Sequence, residues 1–166
     1  CNLACFMCPH SFQPVQETDA DPRVLDELLS WLNACDLWFN GLGETLMRDD
    51  FPALLDKTPR WMPVALFTNG TLLDERMARC IVERPLERVR VSIDSVDEDL
   101  YEQIRGARML STVKNNLLRL RRMKEELGQD LPRVEISMTV MQRNVHELPA
   151  MIELAAEVGA SVVGLA

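Results

Sequence analysis

Three thiols fall within the first eight residues, Cys1, Cys5 and Cys8, with the spacing C-x3-C-x2-C. Three thiolates on one loop can each hold one iron of a [4Fe–4S] cluster, which leaves the fourth iron without a nearby protein ligand. An open coordination position is what a metal centre needs to bind a substrate, by analogy with catalytic zinc sites. A pure electron carrier takes four cysteines. A structural zinc site takes four Cys or His ligands, commonly as pairs from separate loops. Cys35 is the candidate fourth thiol for a carrier, and its place between a helix and a strand is expected to hold it away from the loop. His10, two residues after Cys8, is the candidate fourth ligand for zinc. A non-enzymatic iron–sulfur or zinc protein for electron transfer, sensing or structure therefore stands as the alternative to an enzyme.

The elements that position this loop follow from periodicity. Asp21-Pro22 reads as a helix start, with Val24, Leu25, Leu28, Leu29 and Leu32 at helical spacing. Further helices are expected over 50–55, 74–81, 97–104, 110–127 and 148–158. Strands are expected over 36–39, 64–68, 88–93, 134–141 and 161–165. Strands alternating with helices argue for a parallel sheet with right-handed crossovers. Polar or glycine-containing sequence follows most strands: Asn40 to Thr45, Thr68-Asn69-Gly70, Asp94-Ser95 and Gln142 to Asn144. In parallel α/β folds the site lies at those carboxyl ends. Cys35, Cys80 and the tryptophans Trp31, Trp38 and Trp61 read as core or interface residues. The basic run Arg119, Arg121, Arg122 and Lys124 reads as the solvated face of a helix.

Composition narrows the function class. The chain has 166 residues, 47% hydrophobic and 27% charged, which suits one domain with a sizeable core. Its net charge is −8, from 18 basic and 26 acidic residues. Neither nucleic acid nor an anionic membrane surface is an expected partner for such a chain. No apolar run has the length of a membrane span. Five cysteines, an odd number in a chain this large, argue against a disulfide framework, and the expected location is cytoplasmic. Residues 1–166 are expected to be one domain excised from a longer protein, because the chain opens on a cysteine and stops just after an apolar run.

The segment CNLACFMC at Cys1–Cys8 resembles the signature loop of the radical S-adenosylmethionine (SAM) superfamily. The resemblance runs on through Gly41-Leu42-Gly43-Glu44-Thr45, similar to that family's GGE motif, and through Phe67-Thr68-Asn69-Gly70-Thr71. Val91-Ser92-Ile93-Asp94 with Tyr101-Glu102-Gln103-Ile104-Arg105-Gly106 resembles the SPASM-type members, which carry a C-terminal extension with further clusters. Three positions depart from the pattern. Met7 stands where an aromatic residue is frequent, Leu42 replaces the first glycine of GGE, and Thr45 replaces the common proline.

The resemblance implies an α/β fold, a partial TIM-like (β/α) barrel of parallel strands whose first strand is missing from this segment. It implies an enzyme whose cofactors are a [4Fe–4S] cluster on Cys1, Cys5 and Cys8 and S-adenosyl-L-methionine. Reductive cleavage of SAM to a 5′-deoxyadenosyl radical, which abstracts a substrate hydrogen, is the implied chemistry. Peptide modification and cofactor or natural-product biosynthesis are the implied roles. The implied partners are a peptide or small-molecule substrate and a reductant such as flavodoxin or ferredoxin. Glu44 is expected to meet the SAM ammonium, beside Gly43, which lets backbone approach a ligand. Met7 is expected to meet adenine through its backbone. Ser92 and Asp94, on one face of a strand end, are expected at the ribose hydroxyls, with a turn or helix-cap role as the other reading. Arg105 is expected at the SAM carboxylate, where a guanidinium suits two-pronged recognition.

Overall fold

The structure is a computed structural model and describes residues 1–13, 18–31, 36–84 and 86–166. Its strands are β1 (Leu37–Phe39), β2 (Val64–Thr68), β3 (Arg88–Ser92), β4 (Arg133–Met138) and β5 (Ala160–Leu165). They form one sheet in the order β1-β2-β3-β4-β5, and every neighbouring pair is parallel. The helices are α1 (Pro22–Trp31), α2 (Phe51–Lys57), α3 (Glu75–Glu83), α4 (Glu98–Arg105), α5 (Leu110–Glu126) and α6 (Leu148–Val158). This is the architecture of a partial (β/α) barrel, and the strand order equals the chain order, as right-handed crossovers produce.

Local sequence explains where the elements begin and end. Asp74 and Asp97 cap α3 and α4 by accepting from the backbone N–H of Met77 and Leu100, both at 2.8 Å. Gly106 ends α4 in the left-handed conformation, at φ 77°. No side-chain cap precedes α5; the Glu98 carboxylate of α4 takes its place, accepting from the N–H groups of Leu110 and Ser111 at 3.1 Å. β4 ends at Met138, short of the expected residue 141. Beyond it the backbone N–H of Thr139 turns to Asp94 and that of Met141 to Asn144, each at 2.7 Å.

The two faces of the sheet differ in kind. Leu66, Val89, Val91 and Ile136 pair across β2, β3 and β4 and are fully buried. Ile81, Leu117, Leu120 and Met151 of the covering helices join them in the core. The alternate positions carry polar and aromatic groups: Phe67, Arg90 and Glu135 are cross-strand neighbours. Arg90 pairs with Glu135 at 2.7 Å, and its guanidinium lies over Phe67 at 4.9 Å. Arg88 lies over Trp38 at 4.9 Å and pairs with Asp36. The sequence reading did not single out this ion-paired face.

Trp31, Trp38 and Trp61 are 78%, 37% and 59% exposed, which corrects the core half of the core-or-interface expectation. Cys80 is partly buried against the core rather than enclosed. Cys35 lies outside the described residues. Among the described residues no helix is long and apolar enough to cross a membrane.

Candidate active site at the cysteine loop

The loop from Cys1 to Cys8 rests on the carboxyl end of α4. The Phe6 N–H donates to the Ile104 carbonyl at 3.0 Å, and the Cys8 N–H turns back to the Cys5 carbonyl at 3.0 Å. Gly106 makes this seat possible. A Cβ at that position would stand 2.7 Å from the Ala4 carbonyl oxygen, closer than packed atoms approach. Cys5 is buried, and Cys1 and Cys8 are half-buried. Met7 is half-buried, and Arg143, from the loop after β4, lies over the Phe6 ring at 4.6 Å.

A second set of bonds ties the loop to the ends of β1 and β2. Asn2 donates to Thr71 Oγ1 and accepts from Asn69 Nδ2, both at 2.8 Å. Asn69 in turn donates its backbone N–H to Glu44 Oε2 at 2.7 Å. Glu44 Oε1 accepts from the Thr68 hydroxyl at 2.6 Å and from the Leu46 N–H at 3.0 Å. Glu44 is only 8% exposed. A carboxylate has roughly four lone-pair sites, so three donors leave one, on Oε2, for an incoming N–H. Thr68 and Asn69 are thus the groups that aim Glu44. Gly43 beside it has φ 154°, a conformation L-residues rarely adopt, and open space where a side chain would stand.

This buried acceptor role makes Glu44 a stability determinant as well. Glu44→Gln keeps the shape but turns one oxygen into an NH2 group that faces a donor. The loss of one charge-assisted hydrogen bond is expected to cost about 1.5–3 kcal/mol. Urea unfolding of the cluster-free protein measures it, and a midpoint equal to wild type would reject the three-donor arrangement.

Asp94 and Arg105 form one unit behind the loop. Arg105 Nη2 is 2.7 Å from Asp94 Oδ2, and Arg105 Nη1 is 3.8 Å from Cys5 Sγ. The Thr139 N–H donates to Asp94 Oδ1 at 2.7 Å. Asn144, fully buried, donates its Nδ2 to the Asp94 and Thr139 carbonyls at 2.8 and 2.9 Å. Asp94 is 0% exposed, and burial pushes its carboxyl up while the Arg105 charge and the Thr139 N–H pull it back. Asp94 is thus fully buried beside Arg105, whose two Nη groups are turned to Asp94 and Cys5 while its Nε–H has no hydrogen-bond partner. Ser92, at the end of β3, is half-buried and cross-strand from Ser137.

Asn144 is a site-supporting residue that sequence reasoning missed. The available signal was an amide in the turn after a strand, a position that suits side-chain-to-backbone bonds.

The donor set fits an iron–sulfur cluster. Cys1, Cys5 and Cys8 lie on one loop, and a cluster asks each cysteine for its own iron. Around Arg105, which reaches Cys5 through Nη1, the buried Arg105 Nε, Asp94 Oδ2 and Tyr101 hydroxyl have no hydrogen-bond partner.

Fold and site together define a class: a parallel (β/α) barrel segment with a three-cysteine loop across its strand ends. The chain belongs to the radical SAM superfamily, whose family description matches residues 1–155. That superfamily consists of enzymes that use a [4Fe–4S] cluster and SAM. The chain is 28% identical over 163 residues to a PqqA peptide cyclase of Granulibacter bethesdensis, covering 93% of this chain and 41% of the relative. It is 33% identical over 120 residues to a probable GTP 3',8-cyclase of Archaeoglobus fulgidus, covering 70% and 40%. The chain thus spans about two fifths of those relatives. In fold it is similar to SuiB of Streptococcus suis bound to S-adenosylmethionine, with a TM-score of 0.76, 14% identity, and 99% of this chain and 37% of the other covered. SuiB bound to its precursor peptide SuiA gives a TM-score of 0.75 at 16% identity.

Proposed function

We propose that the protein containing this chain is a radical SAM enzyme that modifies a peptide or builds a cofactor. The observation that carries the reading is the junction of the three-cysteine loop with Glu44 through Asn2 and Asn69, at the carboxyl end of one parallel sheet. It links three thiols and a carboxylate with one unused acceptor site, which supports a cluster and a ligand held side by side. A [4Fe–4S] cluster held by Cys1, Cys5 and Cys8 supplies, when bound and reduced, the electron that cleaves SAM to a 5′-deoxyadenosyl radical for hydrogen abstraction.

The chain's own residues orient and shield. Glu44 Oε2 accepts from the SAM ammonium, and Gly43 leaves backbone open beside it. The Met7 backbone and the Ser92 hydroxyl bind the adenosine portion. Arg105 supplies a fixed positive charge at this end of the site, held in place by Asp94. A peptide substrate is favoured by the peptide cyclase relative and by the SuiB fold neighbour that binds a precursor peptide. A flavodoxin- or ferredoxin-type protein is the proposed electron donor, and the cytoplasm the proposed location.

The test uses the full-length protein, reconstituted with iron and sulfide under anaerobic conditions. Reduced with dithionite and given SAM, it is expected to release 5′-deoxyadenosine without added substrate. Protein that loads its cluster yet leaves SAM intact is an electron carrier or sensor, and the enzyme reading then fails.

A further inference from the structure

Asn2, between the first two cysteines of the loop, is exposed, yet both ends of its amide are spent on residues 69 and 67 positions away. Its Nδ2 donates to Thr71 Oγ1 at 2.8 Å, the Thr71 hydroxyl donates to Asn69 Oδ1 at 2.6 Å, and Asn69 Nδ2 donates back to Asn2 Oδ1 at 2.8 Å. The three side chains close a ring in which each gives one hydrogen bond and takes one. Hydrogen bonds joined in this way polarise and strengthen one another. Water alone satisfies an exposed amide, so the ring serves to hold a position rather than to solvate Asn2.

The far side of the ring is fixed. Asn69 and Thr71 are buried. Their turn is held by α5, whose Asn116 donates Nδ2 to the Gly70 carbonyl at 2.9 Å. Gly70, at φ 78°, packs so closely that a Cβ there would stand 2.8 Å from Val91 Cγ1 and 2.9 Å from Val113 Cγ1. The same turn aims Glu44, because the Asn69 N–H donates to Glu44 Oε2 at 2.7 Å. Asn69 thus faces both ways, with its backbone on the carboxylate and its side chain on the cysteine loop. At the other end the loop has a separate seat, the bond from the Phe6 N–H to the Ile104 carbonyl of α4.

We infer that Asn2 is a positioning residue for S-adenosylmethionine: its ring with Thr71 and Asn69 sets the cysteine loop in register with Glu44, so that cluster loading and SAM binding are coupled. The inference rests on the reading of this site as a cluster and SAM site given above. Asn2 needs no contact with either group. It fixes the distance between the loop that holds one and the carboxylate that holds the other, and a ligand that meets both gains from having that distance set beforehand. Coupling of this kind is reciprocal, so each group favours the binding of the other.

Asn2→Ala opens the ring and leaves the seat of the loop on α4 in place. Iron content is expected to match wild type, while the SAM dissociation constant rises about tenfold, the equivalent of about 1.4 kcal/mol. Thr71→Val keeps the shape, leaves Asn69 Oδ1 the Thr71 N–H as a donor, and opens the ring at another member. It should give the same rise, and the double variant should bind SAM no more weakly than either single one, because one ring is broken once. In a Glu44→Gln background Asn2→Ala should cause no further loss, since the register matters only while the carboxylate holds the ligand. A merely structural Asn2 would cost the same factor in both backgrounds. Calorimetry on the reconstituted, unreduced full-length protein measures each constant, with iron content determined alongside. Wild-type affinity in Asn2→Ala, loss of iron from it, or a loss that adds to that of Glu44→Gln overturns the inference and leaves the enzyme reading standing. Wild type that loads its cluster but binds no SAM overturns the enzyme reading, and this inference with it.

Discussion

Asp94→Asn is expected to destabilise the cluster-free protein by about 3–5 kcal/mol, the cost of breaking a buried ion pair by removing one partner. The Arg105 guanidinium cannot shed its charge, and its side chain is only 9% exposed. With Asn opposite, an NH2 group faces Nη2, and the cation is left buried without its counter-charge. The Thr139 N–H keeps an acceptor in Asn, so the loss is that of the ion pair rather than of the turn. At roughly 2–4 °C per kcal/mol for a chain of this size, the melting temperature should fall by about 6–20 °C. The double substitution Asp94→Asn with Arg105→Met should recover much of the loss, since it removes the stranded charge. Urea denaturation of the single and double variants measures both. A single variant within about 1 kcal/mol of wild type would show that the pair is not desolvated as the structure has it.

Gly106→Ala is expected to unseat the cysteine loop and cost the protein its cluster. Two penalties add. A left-handed residue other than glycine costs about 1–2 kcal/mol, and Gly106 has φ 77°. The new Cβ would also stand 2.7 Å from the Ala4 oxygen and 3.0 Å from its carbonyl carbon, which are backbone atoms with no rotamer to escape into. Relief comes only by moving Ala4, and with it Cys1 and Cys5, away from α4. Gly128→Ala is the control: at φ 61° it carries a similar backbone strain, but nothing lies within 4 Å of its Cβ. Iron content after reconstitution is the readout. Gly128→Ala should load like wild type, and Gly106→Ala should not. Equal loading in the two variants would falsify the docking of the loop on α4.

The sequence alone determined the architecture, because the signals involved are local. An apolar run at Val64–Thr68, period-two alternation at Arg88–Ser92, acidic caps at Asp74 and Asp97, and glycine ends at Gly106 and Gly159 act within a few residues. The alternation of strand and helix then leaves little freedom in strand order. The cysteine spacing belongs to the same category, since three ligands on one loop need no distant partner to be recognised. Sequence could also say that Glu44, Asp94 and Arg105 were polar groups at strand or helix ends.

Only the tertiary structure decided what those groups face. Glu44 is aimed by Thr68 and Asn69, 24 and 25 residues away. Asp94 meets Thr139 across 45 residues, and Arg105 meets Cys5 across 100. Whether a carboxylate serves a ligand or a buried arginine depends on which neighbour reaches it first. That is settled by the closure of the sheet and the packing of α4 beneath the loop, not by the residues beside it in the chain. The tryptophans make the same point from the other side. Their hydrophobicity suggested a place in the core or at an interface, and Trp38 sits on the sheet face that Arg88 and Arg90 line; a position on one sheet face or the other follows from strand register.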